Sequence, residues 1–89
     1  MSTLLVHHKV QDYASWRKVF DEMTALRTSF GSTGQQVFHS PNDPNEVIVL
    51  TDWKDLNQAR AYAQSPELKG GMKNAGVTSQ PEVLFLEEA

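Results

Sequence analysis

The groups in this chain that could do chemistry are three histidines, His7, His8 and His39, and one acid, Asp52, that could assist them. An imidazole titrates near neutrality, so a histidine in an apolar pocket can act as a general base toward an acidic C–H or a phenol. His7 and His8 are adjacent, and in a strand adjacent side chains point to opposite faces. Only one of them can face a given pocket, and the sequence leaves open which. His39 could approach His8 across a sheet and make a polar spot in an apolar cavity. Asp52 could orient a histidine or accept a substrate proton. Each has a plainer reading, as a packed, hydrogen-bonded imidazole or a surface carboxylate in a turn or salt bridge. The chain has no cysteine, and no carboxylate or third imidazole stands at ligand spacing, so no metal is expected. No nucleophile elbow, phosphate-cradling glycine motif or glycosidase acid pair is present.

Walls for such a pocket are available in Trp16, Phe20, Met23, Trp53, Tyr62, Leu68 and Met72. Tryptophan and tyrosine offer a broad apolar body with one polar tip, which suits a flat aromatic ligand and suits an ordinary core equally well.

The elements that must hold these residues follow in order. Thr3 to Val10 alternates and reads as a first strand. Asp12 can cap a helix from Tyr13 to Phe30, because Trp16, Val19, Met23, Leu26 and Phe30 recur at steps of three and four. Gly31 is placed to end it. Gln35 to His39 reads as a second strand, joined by the turn-forming loop Ser40–Asn45 to a third. That third strand is built on Val47-Ile48-Val49-Leu50, an apolar run expected of a strand covered on both faces. Asp55 with Gln58 three residues on predicts a capping box, and Leu56, Ala59 and Ala63 give the next helix an inner stripe. Ser65-Pro66-Glu67 opens another helix with Leu68, Met72 and Ala75 inward. Gly70-Gly71 weakens that helix by about 1 kcal/mol per glycine relative to alanine. It should be short and mobile over a pocket mouth. Val83 to Leu86 is the last strand.

The order β-α-β-β-α-β is the ferredoxin-like α+β arrangement, a four-stranded antiparallel sheet with its helices on one face. The 89 residues make one domain, 1–89. With 39% hydrophobic residues, a net charge of −3 and no basic cluster, a nucleic-acid partner is not expected. No stretch approaches the roughly 20 apolar residues of a membrane span. The apolar run in MSTLLVHHKV is too short for a signal peptide and lacks a basic lead, so a cytoplasmic location is expected.

The sheet is apolar on both parities, with Leu5, Ile48, Leu50, Leu84 and Leu86 set against Val6, Val49, Val83 and Phe85. Helices on one side leave the other as a patch larger than soluble monomers usually tolerate. A homodimer packed sheet face to sheet face resolves this.

The segments VHHKVQDYASWRKVF, VIVLTDWKD and AYAQSPELKGGMKNAG make the chain resemble the dimeric α/β-barrel superfamily, in particular its antibiotic biosynthesis monooxygenase-like group. The resemblance spans nearly the whole chain, and its motifs mark architecture rather than chemistry. It implies a dimeric α/β barrel and a family of cofactor-free oxygenases of aromatic polyketides, haem-degrading enzymes, small polyketide cyclases and stress-response proteins. In the haem-degrading members the segment resembling AYAQSPELKGGMKNAG carries a Trp and, ten residues on, an iron-ligating His. Those positions fall on Tyr62 and Met72 here, and a thioether poorly replaces imidazole for oxygen activation. The resemblance therefore implies no haem and no other cofactor. Two functions follow as expectations. One is a cofactor-independent monooxygenase or cyclase that abstracts a proton from an aromatic or polyketide-type substrate through a histidine. The other is a non-catalytic ligand-binding or accessory protein with the same dimer and cavity.

Overall fold

In the computed structural model, which describes residues 2–89, four strands form one antiparallel sheet. Its elements are β1 (Ser2–Lys9), α1 (Tyr13–Glu22), α2 (Thr24–Phe30), β2 (Ser32–His39), β3 (Glu46–Trp53), α3 (Leu56–Ala63), α4 (Pro66–Asn74) and β4 (Glu82–Glu87). The spatial order is β2-β3-β1-β4, with the two central strands contributed by opposite halves of the chain. This is the ferredoxin-like α+β fold expected from the element order.

Alternation along β1 and β3 sets the layers. Leu4, Val6 and His8 on β1, and Val47, Val49, Thr51 and Trp53 on β3, are buried beneath the helices. Their neighbours of opposite parity face away from the helices and stay partly exposed. The run Val47–Leu50 is therefore covered on one face only within this chain, not on both.

Each helical half is bent into two pieces. The expected helix over Tyr13–Phe30 breaks at Met23, although the Met23 N–H still reaches Val19 O at 3.1 Å and Arg27 N–H reaches Met23 O at 3.0 Å. Side chains hold the break. Thr24 Oγ1 donates to Asp21 O at 2.8 Å, and Arg27 Nη2 donates to Phe20 O at 2.9 Å, so the end carbonyls of α1 find partners other than the next helical turn. Asp12 caps α1, accepting from Ser15 N at 3.0 Å. Gly31 ends α2 in the left-handed region, φ 109°, where a side chain would be strained. A Cβ there would also strike the Gln58 side chain. Gln58 thus packs across to Gly31 rather than back onto Asp55, and Asp55 caps α3 by accepting from Asn57 N at 2.8 Å. At the α3–α4 elbow Ser65 Oγ donates to Tyr62 O at 2.7 Å and accepts from Leu68 N at 3.1 Å, the capping role its sequence context predicts. The second strand begins earlier than expected, at Ser32, with a register shift between Ser32 and Gly34.

The core divides into two clusters. One joins Val10, Trp16, Phe20, Val47, Val49 and Ala75. The other joins Leu4, Val6, Trp53, Ala59 and Tyr62. The seam between them is where the candidate site lies.

Candidate functional site

A cavity of about 50 Å³ occupies that seam, between the sheet and the helical layer. Leu4, Val6, His8, Val49 and Thr51 form its floor, and Trp16, Phe20, Met23 and Arg27 form one wall. Tyr62, Leu68, Gly71, Met72 and Ala75 close the opposite side. Trp16, Phe20, Met23 and Arg27 recur at steps of four, three and four, so one stripe of the bent α1–α2 helix presents all four.

Of the two adjacent histidines, His8 faces the cavity. It is 4% exposed, and its Nδ1 has no hydrogen-bond partner among the described residues. The ring meets Trp16 edge-on at 5.8 Å. Burial lowers its pKa from the usual 6.5, with His7 next to it adding a smaller push the same way and a backbone hydrogen bond opposing. The imidazole is therefore neutral at pH 7, with a buried nitrogen that has nothing else to bond. His7 points to the open face of the sheet, its Nε2 2.9 Å from Glu46 Oε2.

His39 does not join His8. Both lie opposite Val47 in register, one on each side of it, so a full strand separates them. His39 is exposed on edge strand β2, with Nδ1 3.0 Å from Ser40 O and its ring against Tyr13 at 5.5 Å. Asp52 lies on the other face of the sheet, accepting from Thr3 Oγ1 at 3.0 Å, and cannot orient His8 through the strand. Trp53 is fully buried in the second core cluster and does not line the cavity; its indole N–H donates to Thr51 Oγ1 at 2.8 Å. That bond fixes the Thr51 hydroxyl in the cavity floor. Trp16, Phe20, Met23, Tyr62, Leu68 and Met72 are brought together as lining.

Tyr62 packs between Trp53 at 5.1 Å and Phe30 at 5.6 Å. Burial raises the pKa of its phenol and the adjacent Arg27 pulls it back, so the hydroxyl keeps its proton at neutral pH. Gly71 lines the mouth because a Cβ there would collide with the Met23 thioether. Gly70 has open space around it.

Arg27 was not anticipated. A charged residue at an inward helical position reads as solvated surface by type, but its spacing of seven from Phe20 and four from Met23 puts it on the apolar stripe. It is 2% exposed. Its guanidinium carbon sits 3.8 Å from the centroid of the Phe20 ring, and Phe20 in turn stacks on Trp16 at 5.0 Å. Among the described residues, no three His, Asp or Glu side chains come close enough to hold a metal ion.

Comparison with known proteins agrees with this architecture. The family model for antibiotic biosynthesis monooxygenase matches residues 11–74, well over half of the chain. No curated protein sequence matches. Among solved structures, a protein from Bordetella bronchiseptica that carries the same family name superposes with a TM-score of 0.83 at 16% identity, covering 99% of this chain and 96% of that one. SnoaB, a cofactor-independent oxygenase from Streptomyces nogalater, gives a TM-score of 0.75 at 16% identity over 99% and 94% of the two chains. Rv0793 from Mycobacterium tuberculosis gives 0.74 at 13% identity, over 99% and 94%. At these identities the structures speak for the fold alone. The family match rests instead on residues 11–74, which carry the cavity's helical walls and all of β3, and by that match the chain belongs to the antibiotic biosynthesis monooxygenase family.

Proposed function

We propose that this protein is a homodimeric, cofactor-independent oxygenase of an aromatic substrate, with His8 as the base. One observation carries the reading: a neutral imidazole whose Nδ1 has no partner among the described residues is buried in a cavity walled by Trp16 and Phe20. Such a nitrogen can accept a proton from an acidic CH₂ or phenol, and the dry surroundings sharpen the attraction between imidazolium and carbanion. The carbanion's electron pair then reduces dioxygen. One oxygen atom stays as a carbonyl on the former CH₂ carbon, and the other leaves as water with both hydrogens. SnoaB, a cofactor-independent oxygenase, has the same fold, which supports the reading.

The test is oxygen uptake with an aromatic ketone bearing an acidic CH₂. Replacing His8 by Ala should lower turnover by about 10²–10⁴-fold, the usual contribution of a positioned base. Unchanged turnover in that variant would overturn the mechanism.

The volume of the cavity favours a second reading. About 50 Å³ holds a few waters and no aromatic ring, so a substrate enters only if Met23, Leu68 and Met72 swing aside. A protein that binds a small ligand there without transforming it would show saturable binding and no oxygen uptake.

A further inference from the structure

Arg27 is a buried cation without an anion. Its Nε donates to Gln35 Oε1 at 3.0 Å, and Nη2 donates to Phe20 O at 2.9 Å and Thr24 Oγ1 at 3.2 Å. Every one of these acceptors is neutral. The ion pairs among the described residues are His7–Glu46 and Arg17–Asp21, and Arg27 belongs to neither. On its outer side it borders a polar depression lined by Thr24, Thr28, Ser32, Thr33 and Gln35, which again supplies no carboxylate. Nη1 is left without a carboxylate or carbonyl partner among the described residues, and the adjacent Tyr62 phenol, which keeps its proton, adds no charge. Burying a charge among neutral partners in this way is costly, because nothing in the chain balances it.

The geometry adds a direction. His8 meets the edge of Trp16, Trp16 stacks on Phe20, and Phe20 carries the guanidinium on its face. The aromatic pair therefore separates two polar groups that both line the cavity, a neutral base on one side and a fixed cation on the other. The three neutral hydrogen bonds use the Nε and Nη2 donors and hold the guanidinium plane in place before any ligand arrives, which leaves the two N–H groups of Nη1 to receive an anion.

We propose that the cavity selects an anionic aromatic ligand, one whose carboxylate is received by Arg27 while its ring lies along Trp16 and Phe20. The inference rests on the cavity being the ligand site. It goes further in naming the ligand's charge, its recognition group and the end at which that group sits. His8 then faces the part of the ligand remote from the carboxylate, so the acidic proton and the anion belong to opposite ends of the molecule.

Benzoate and benzamide are near-isosteric and differ in charge, and their binding to the intact protein can be followed by amide and indole N–H shifts in NMR titrations. Benzoate should bind roughly 10- to 100-fold more tightly than benzamide, the range of one charge-assisted recognition. Arg27→Met should abolish that preference, and Arg27→Lys should retain only part of it. Equal binding of the two ligands to the wild-type protein would overturn the assignment of Arg27 while leaving the cavity as a ligand site. Shifts confined to residues outside the cavity, or no binding of either compound, would overturn both. The wild-type comparison decides even if the methionine variant fails to fold.

Discussion

At the scale of single residues, the pair His7-His8 shows how neighbours of the same type are given different chemistry by strand parity. His7, half-exposed beside Glu46, is an ordinary surface imidazole; His8, one peptide away, is buried and neutral. The difference has a consequence for stability. Unfolded, His8 takes up its proton near pH 6.5; folded, it does so only at lower pH. Between those values the unfolded chain holds one more proton than the native one, so acidification favours unfolding there. The contribution is complete above about 6.5, the unfolded value, and is lost as pH falls toward the folded value. Thermal melts from pH 7.5 down to 5 should show a decline in Tm that is shallower in His8→Phe than in the wild type. Identical slopes in the two proteins would mean that His8 is not held neutral by burial. Arg27 belongs at the same scale. Its spacing on the helix made its inward position readable, but its residue type argued for solvent, and packing against Phe20 settled the matter.

At the scale of elements, α4 is the least buried part of the cavity wall. None of its residues is fully buried, and it meets the cavity through Leu68, Gly71 and Met72. The two adjacent glycines have different duties. At Gly70 a methyl group meets nothing within 4 Å, so Gly70→Ala should stabilise the protein by about 0.5–1 kcal/mol through helix propensity and a less flexible unfolded chain. At Gly71 the same methyl group collides with Met23, whose flexible thioether must turn away, and the cavity mouth narrows. Gly71→Ala should therefore gain less stability than Gly70→Ala and should weaken ligand binding, which Gly70→Ala should not. Equal behaviour of the two variants in melts and titrations would remove Gly71 from the mouth. The bend at Met23 was not legible in the periodicity, because the apolar repeat runs straight through it. It depends on Thr24 and Arg27 reaching back to carbonyls of α1, which is a matter of side-chain geometry.

At the scale of the whole molecule, the open face of the sheet is the dominant unsolved surface of the single chain. Leu50, Leu5 and Leu84 lie side by side in register across β3, β1 and β4, with Phe38 and Leu86 in the flanking rows. Phe38 is 49% exposed and Leu84 46%. On the helix side of β4, Val83 and Phe85 are also exposed, since the helices do not extend over that edge. A second copy packed on this face would bury the leucine row, and with it the His7–Glu46 pair. Sedimentation equilibrium should give a dimer for the wild type at micromolar concentration and a monomer for Leu84→Glu, whose carboxylate would sit in the middle of the contact. A wild-type monomer at the highest attainable concentration would sink the dimer. It would leave the cavity unaffected, because the cavity lies on the opposite side of the sheet and is lined by one chain.

The sequence by itself determined the order of the elements, their caps at Asp12, Asp55 and Ser65, and the two apolar parities of the sheet. These are local properties, set by spacing along the chain and by the hydrogen bonds each helix end requires. It also named much of the cavity's helical wall, since Trp16, Phe20, Met23, Tyr62, Leu68 and Met72 lie on helix faces that must turn inward. Only the tertiary structure decided which histidine looks into the cavity and that Val47 keeps His39 away from it. It likewise put Asp52 behind the sheet and packed Trp53 into the core instead of the wall. Those outcomes turn on strand register and on which of two parities the helices cover, and both are fixed by contacts between segments far apart in the chain. Arg27 lies at the boundary: its place on the stripe was written in the sequence, but the neutrality of everything around it exists only once the helix, β2 and Phe20 have come together.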